Sequence, residues 1–133
     1  MRRTISFALA AALLFAGCGK PAARVETDAY AGLEDAIKLW RTDIEKQPGC
    51  GAKPADGLAC RAFLVNCKGE AAPDPKETQV TVKVVAGMSW DAWNPKRQDY
   101  DPAAGGASFA KIGGKWVRTA ISGPFNQATC IAG

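Results

Sequence analysis

The stretch YAGLEDAIKLWRTDIEKQPG, residues 30–49, decides the fold of this chain. Its apolar side chains recur at intervals of three and four residues: Tyr30, Leu33, Ile37, Trp40 and Ile44. In an α-helix this spacing places all five on one face, which predicts an amphipathic helix. An apolar stripe of this kind usually packs on a sheet. The alternative is that this face of the helix binds a partner.

Both ends of this helix carry boundary signals. Thr27 or Asp28 has the side chain of an N-cap, and Pro48-Gly49 is a pair that stops a helix. Opposite charges four residues apart add to helix stability. These pairs are Glu34–Lys38 and Arg41–Glu45. The sequence therefore predicts one helix between the two signals.

Downstream of the helix the sequence alternates apolar and polar residues, as half-buried strands do. Residues 61–67 alternate in this way. In the stretch TQVTVKVV the alternation points Val80, Val82 and Val84 inward. Between these two strands, residues 68–77 hold two prolines and five charges, which predicts an exposed turn.

Two further runs, residues 108–112 and 115–121, flank Gly113-Gly114. A two-residue glycine link predicts a β-hairpin, because both of its residues can take positive φ. Residues 94–106, with two more prolines, are predicted to be a long loop. The sequence thus predicts an α+β fold, in which one N-terminal amphipathic helix packs on a mostly antiparallel sheet of about four strands.

The order of helix, strands and a final GGKWV hairpin, residues 113–117, resembles the layout of small cystatin-like and nuclear-transport-factor-like domains of the cell envelope. The resemblance implies a helix laid across a curved antiparallel sheet. Folds of this kind host many functions, so the layout implies no particular activity.

The first residues of the chain are typical of a secretory leader. Residues 1–4 include two arginines and no acid, and residues 5–17 contain no charge. An apolar run of this length is shorter than the roughly 20 residues that a membrane-spanning helix needs. A basic start, a short apolar core and small residues at the end predict a signal peptide over residues 1–17. The competing interpretation is a buried N-terminal helix.

The end of the leader, Leu14-Phe15-Ala16-Gly17-Cys18, resembles the lipobox of bacterial lipoproteins, with Phe15 where leucine is most usual. The resemblance implies cleavage before Cys18, diacylglycerol on its sulfur and an acyl chain, such as palmitate, on its new amine. Gly19 follows the cysteine. If the host sorts lipoproteins as enteric bacteria do, the absence of aspartate there favours the outer membrane, facing the periplasm, over the inner membrane.

The resulting organisation has three parts. Residues 1–17 are the signal peptide, residues 18–26 a lipidated tether, and residues 27–133 a single small α+β domain. Removing Arg2 and Arg3 from the formal net charge of +4 leaves the mature chain at +2. No run of basic residues resembles a nucleic-acid footprint, so nucleic acid is not an expected partner.

The chain has five cysteines. Assigning Cys18 to lipid leaves Cys50, Cys60, Cys67 and Cys130, an even number that suits disulfides in an oxidising compartment. No C-x-x-C pair is present, which argues against a zinc site. We favour Cys50–Cys60 with Cys67–Cys130, while sequence alone leaves all three connectivities open.

The sequence contains no histidine. This removes Ser-His and Cys-His nucleophile systems and imidazole metal ligands. A Ser/Lys dyad could include Ser89 or Ser122, and glycoside cleavage would need a pair of carboxylates. The sequence singles out no residues for either. We therefore expect a protein that is not an enzyme, with no catalytic residue, metal or cofactor assigned.

The stretch WDAWNPKRQDYD, residues 90–101, holds two tryptophans, a tyrosine, three aspartates and two basic residues. The candidate binding surface drawn from it comprises Trp90, Asp91, Trp93, Asn94, Arg97 and Tyr100. Tryptophan, tyrosine and arginine dominate protein interfaces, and aromatic faces beside polar groups also suit sugar rings. The third interpretation is that the tryptophans pack the end of a strand.

These observations lead to one functional expectation and two alternatives. The expectation is a lipid-anchored, non-catalytic binding or accessory module of the cell envelope, attached to the membrane through Cys18 and contacting an envelope protein. The first alternative is a lipoprotein that binds peptidoglycan or another glycan. The second is a small hydrolase or an enzyme inhibitor.

Overall fold

A computed structural model of the chain describes residues 28–119, 121 and 125–132. Its elements are α1 (Leu33–Glu45), a short 3-10 helix (Pro48–Cys50), β1 (Cys60–Ala71), β2 (Val80–Asn94), β3 (Asp99–Ile112), β4 (Lys115–Thr119), β5 (Phe125–Asn126) and β6 (Ile131–Ala132). The predicted leader, lipobox and Cys18 lie outside the described residues. Within the described part, no helix has the length and apolar character needed to cross a membrane.

The predicted α+β architecture is confirmed, because α1 packs on a four-stranded antiparallel sheet in the order β1-β2-β3-β4. The helix buries four side chains: Leu33, Ile37, Trp40 and Ile44. They meet one face of the two central strands at Val84, Ala86, Met88 and Phe109. Trp40 and Phe109 contact edge to face, with ring centroids 5.9 Å apart.

The predicted start of the helix was wrong by one turn. Tyr30 lies in a turn ahead of α1 and is 42% exposed rather than part of the buried stripe. The helix begins after Gly32, the N-cap, whose φ of +84° favours glycine. Asp28 accepts a hydrogen bond from the Tyr30 N–H within this turn and so does not cap the helix. Thr27 lies outside the described residues.

The two predicted ion pairs of the helix differ in outcome. Arg41 and Glu45 lie 3.2 Å apart, as predicted. Lys38 contacts Asp35 instead of Glu34, at 3.5 Å. Glu34 pairs with Lys68 of β1, so it links the first turn of the helix to the sheet.

The long loop predicted for residues 94–106 was wrong, because β2 and β3 form one long hairpin closed by residues 95–98. Pro102, which suggested a loop, lies inside β3 and faces Asp91 of β2. It is tolerated because β4 pairs only with Ser108–Ile112, so this part of β3 is an edge. A proline at an edge removes no ladder hydrogen bond.

The Gly113-Gly114 hairpin is confirmed. Ile112 pairs with Lys115, and the two glycines have φ of +57° and +77°. The turn predicted for residues 68–77 begins later than expected, since β1 continues to Ala71. The turn between β1 and β2 therefore covers residues 72–79.

The favoured disulfides, Cys50–Cys60 and Cys67–Cys130, are both formed. One expectation about β1 was wrong: Cys67 does not share a face with Phe63 and Val65. An extra residue between Val65 and Cys67 shifts the register with β2, and a second shift lies between Arg61 and Leu64. Phe63 and Val65 therefore pack toward the helix, while Cys67 points to the opposite face.

On that opposite face, the C-terminal segment crosses the sheet over glycines. A Cβ on Gly87 would lie 2.4 Å from the carbonyl oxygen of Gln127, and one on Gly106 would lie 2.5 Å from the Phe125 ring. Gly87 and Gly106 are paired across β2 and β3, so together they make a shallow path through the sheet surface. The Cys67–Cys130 disulfide holds the segment to β1.

We expect Gly87→Ala to destabilise the protein by about 1–3 kcal/mol, since the new methyl group overpacks a backbone contact. Urea denaturation measures the loss, and amide chemical shifts of residues 125–130 should change with it. Gly49→Ala is the matched control, because a Cβ there meets nothing within 4 Å. Equal effects of the two substitutions would contradict close packing of the C-terminal segment on Gly87.

Candidate functional site

The predicted binding residues all lie at the end of the sheet where residues 95–98 join β2 to β3. Side chains alternate between the two faces of a strand. Trp90 and Asn94 therefore point to the helix side, whereas Asp91 and Trp93 point to the opposite side, together with Tyr100, the cross-strand partner of Trp93. The single sequence cluster is thus divided between two faces.

Trp90 belongs to the packing of the domain. Its ring stacks on Phe63 of β1, with centroids 5.8 Å apart and planes 19° apart. A Cβ on Gly105 would lie 3.3 Å from the Trp90 ring, so a glycine in β3 gives the indole its space. Arg41 lies over the Phe63 ring, 4.7 Å from its centroid. Trp90 therefore extends the core beneath the helix.

On the opposite face, Trp93 and Tyr100 form an aromatic pair joined by an arginine. The two rings meet edge to face, with centroids 5.2 Å apart. The guanidinium carbon of Arg61 lies 3.5 Å from the Tyr100 centroid, a cation–π contact. Arg61 Nε is also 3.9 Å from Asp91 Oδ2. Arg61 comes from β1, far from this cluster in sequence, so no local sequence pattern identifies it.

The loop closed by the Cys50–Cys60 disulfide is attached to the same place. The Tyr100 hydroxyl donates a hydrogen bond to the Leu58 carbonyl at 2.8 Å, and the Trp93 N–H donates to the Ala59 carbonyl at 2.8 Å. Leu58 is 66% exposed beside this contact. Leu58 could not be identified from the sequence either, because only the folded hairpin brings it to Tyr100.

Asn94 and Arg97 organise the turn. Asn94 Oδ1 accepts the N–H groups of Lys96 and Arg97 at 3.0 and 3.3 Å, and its amide donates to Asp101 Oδ2 at 2.7 Å. Arg97 Nη1 lies 2.7 Å from Asp101 Oδ1, while the Arg97 side chain stays 63% exposed. The polar groups of Asn94 are occupied within the turn, and Arg97 remains accessible.

At the edge of β3 beside this turn, two residues offer no backbone N–H for pairing with an added strand. The Tyr100 N–H donates to Asp99 Oδ1 at 2.8 Å, so the backbone of Tyr100 points away from β2. Pro102, two residues further, points the same way and has no N–H to offer. Proline and locally bonded donors are how edges avoid strand pairing. Neither Tyr100 nor Pro102 therefore offers a free backbone N–H to an added strand.

Charged and polar side chains at this end of the sheet contact one another or the backbone. In the ranges that the structure describes, no three His, Cys, Asp or Glu side chains come together as metal ligands do. Of the three carboxylates of the hairpin, Asp91 lies beside Arg61, Asp101 beside Arg97, and Asp99 accepts the Tyr100 N–H. What the arrangement presents outward is an exposed leucine and an exposed arginine beside two half-buried aromatic rings.

No known protein family, curated protein or solved structure matches this chain. The case for a function therefore depends on the geometry of this end of the sheet.

We expect Tyr100→Phe to loosen the loop of residues 51–59, because it removes the hydrogen bond to the Leu58 carbonyl. The free energy of unfolding should fall by about 1 kcal/mol, a typical value for one hydrogen bond. Hydrogen–deuterium exchange of the loop amides should become faster. Tyr30→Phe is the matched control, since it removes a hydroxyl bound to Glu70 at the other end of the sheet. Unchanged loop exchange in Tyr100→Phe would contradict this attachment.

Proposed function

We propose that this protein is a lipid-anchored, non-catalytic accessory protein of the cell envelope, which binds an envelope protein through its hairpin-end surface. We define that surface by five residues: Leu58, Arg61, Trp93, Arg97 and Tyr100. The observation that carries the proposal is the Trp93–Tyr100 aromatic pair, covered by Arg61 and bordered by a leucine that is 66% exposed. Tryptophan, tyrosine and arginine are the residue types that contribute most to protein interfaces.

A protein partner fits this surface better than a glycan does. A sugar ring needs an uncovered aromatic face with free polar groups beside it. Arg61 covers one face of Tyr100, and Phe63 stacks on Trp90. Asp91 is already paired with Arg61. Exposed leucine and arginine, by contrast, are directly usable by a protein.

The position of residues 28–31, the first that the structure describes, supports the anchored arrangement. Residues 28–31 lie at the end of the sheet opposite the hairpin-end surface. They are held there by hydrogen bonds from Trp116 Nε1 to the Ala31 carbonyl at 2.8 Å and from Lys111 Nζ to the Ala29 carbonyl at 3.0 Å. Both donors flank the Gly113-Gly114 turn.

A lipid on Cys18 would therefore attach the domain at one end and leave the other free. The 15 residues of β2 span ~50 Å at about 3.3 Å per residue, which separates the two ends. In this arrangement α1 is the amphipathic N-terminal helix that runs from the anchored end toward the hairpin end. The hairpin-end surface then faces away from the membrane, toward other envelope proteins.

We expect Cys18→Ser to abolish the membrane anchor. In cells labelled with palmitate, the wild-type protein should carry label and sediment with membranes, whereas Cys18→Ser should carry none and remain in the soluble envelope fraction. Cys67→Ser is the control for loss of a cysteine elsewhere, and its labelling should persist. Label that persists in Cys18→Ser would contradict lipidation at this residue.

We expect a photo-crosslinking amino acid at position 58 to capture a defined envelope protein in living cells, and the same group at position 39 to capture none. Leu58 and Leu39 are each 66% exposed, but Leu39 lies on α1, away from the hairpin end. Mass spectrometry identifies the adduct.

Arg97→Ala should reduce this adduct, and Arg118→Ala, which removes an arginine paired with Asp43 at 2.8 Å, should not. Equal capture at positions 58 and 39 would argue against a specific surface. Sedimentation of the purified protein with cell-wall sacculi, together with no protein adduct, would favour the glycan-binding alternative.

A further inference from the structure

A concave site lies at the end of the domain opposite the hairpin-end surface, between the first turn of α1 and β1. Its cavity has a volume of about 370 Å³. The floor is apolar, formed by Leu33 of the helix and Val84 of β2, which are 5% and 2% exposed. A cavity of this size is in the range that holds small organic ligands.

Two polar bridges from the start of the helix to β1 form the walls of the cavity. The Tyr30 hydroxyl donates to Glu70 Oε2 at 2.9 Å. Lys68 Nζ donates to Glu34 Oε1. The bridges keep the helix turn and the strand in fixed relative positions above the apolar floor.

The rim is negatively charged although the chain as a whole is positive. Three carboxylates line the cavity, from Asp28, Glu34 and Glu70, against one ammonium, from Lys68. Their sum is −2, whereas the formal net charge of the chain is +4. The hydrogen bond and negative charge of Glu70 raise the pKa of Tyr30 above its ordinary value of 10.0, as expected beside an ionised carboxylate.

We propose that this cavity binds a small cationic amphiphile, a primary amine carried on an apolar body. The body would lie on Leu33 and Val84, and the ammonium group would lie between the carboxylates of Asp28 and Glu70. Lys68 is already paired with Glu34, so among the described residues that line the cavity there is no free cation to hold an anionic ligand. This site is at the opposite end of the sheet from the hairpin-end surface, and it does not depend on the proposed function.

The test uses 2-phenylethylamine as the probe and 2-phenylethanol as its neutral analogue, with the folded, oxidised protein. Titrations followed by amide NMR should show shifts that saturate for the amine at Gly69 and Val84, which line the cavity. The alcohol should bind more weakly. Equal affinity for amine and alcohol, or shifts centred away from these residues, would overturn the proposal.

The double variant Asp28→Asn with Glu70→Gln keeps the shape of the rim and removes two charges. It should raise the Kd for 2-phenylethylamine about threefold to tenfold, since each charge contact near the surface contributes modestly. Glu45→Gln, at the other end of α1, is the matched control and should leave the Kd unchanged. An unchanged Kd in the double variant with a preserved amide spectrum would overturn the role of the carboxylates.

Discussion

Trp40 of the helix and Phe109 of β3 meet edge to face at the centre of the domain, with Phe109 completely buried. This contact fixes which face of the sheet lies beneath the helix. Because side chains alternate along each strand, every other orientation on β2 and β3 follows from it. Trp90 is thereby directed into the core, while Trp93 and its partner Tyr100 are directed to the opposite face. The same constraint that builds the core therefore also places the Trp93–Tyr100 pair, half-buried, on the face away from the helix.

On the face of the sheet opposite the helix, the C-terminal segment covers one region and leaves the hairpin end uncovered. Glycines at paired positions 87 and 106 lower the surface of the sheet where the C-terminal segment crosses it. The Cys67–Cys130 disulfide closes a loop of 63 residues, which by loop-closure entropy stabilises the fold by about 4 kcal/mol. The segment can cross only where side chains are missing. The hairpin end carries Trp93 and Tyr100 instead, and these side chains leave no comparable path.

Features set by neighbouring residues were predictable from the sequence. The helix stripe from Leu33 to Ile44, the inward Val82 and Val84 and the Gly-Gly hairpin each depend on spacing of a few residues. The inward direction predicted for Val80 was wrong, because a register shift between Val80 and Val82 takes it out of the core. The length of β3 was not predictable, because Pro102 signals a loop unless the edge position of the strand is known. The candidate site could not be predicted fully either, for the same reason. Arg61 and Leu58 reach Tyr100 through strand register and a disulfide loop, and neither is visible in local sequence.

The hairpin-end surface is organised by the fold itself. The Cys50–Cys60 disulfide restricts the loop, and the Tyr100 hydroxyl holds the Leu58 carbonyl at 2.8 Å. Asn94 fixes the turn that carries Arg97 through hydrogen bonds to two backbone N–H groups. Ordering flexible loops and side chains is one of the main costs of association. Since these contacts order the loop and the turn during folding, the binding proposed for this surface would carry less of that cost, and the two disulfides of the domain provide the rigid scaffold for it.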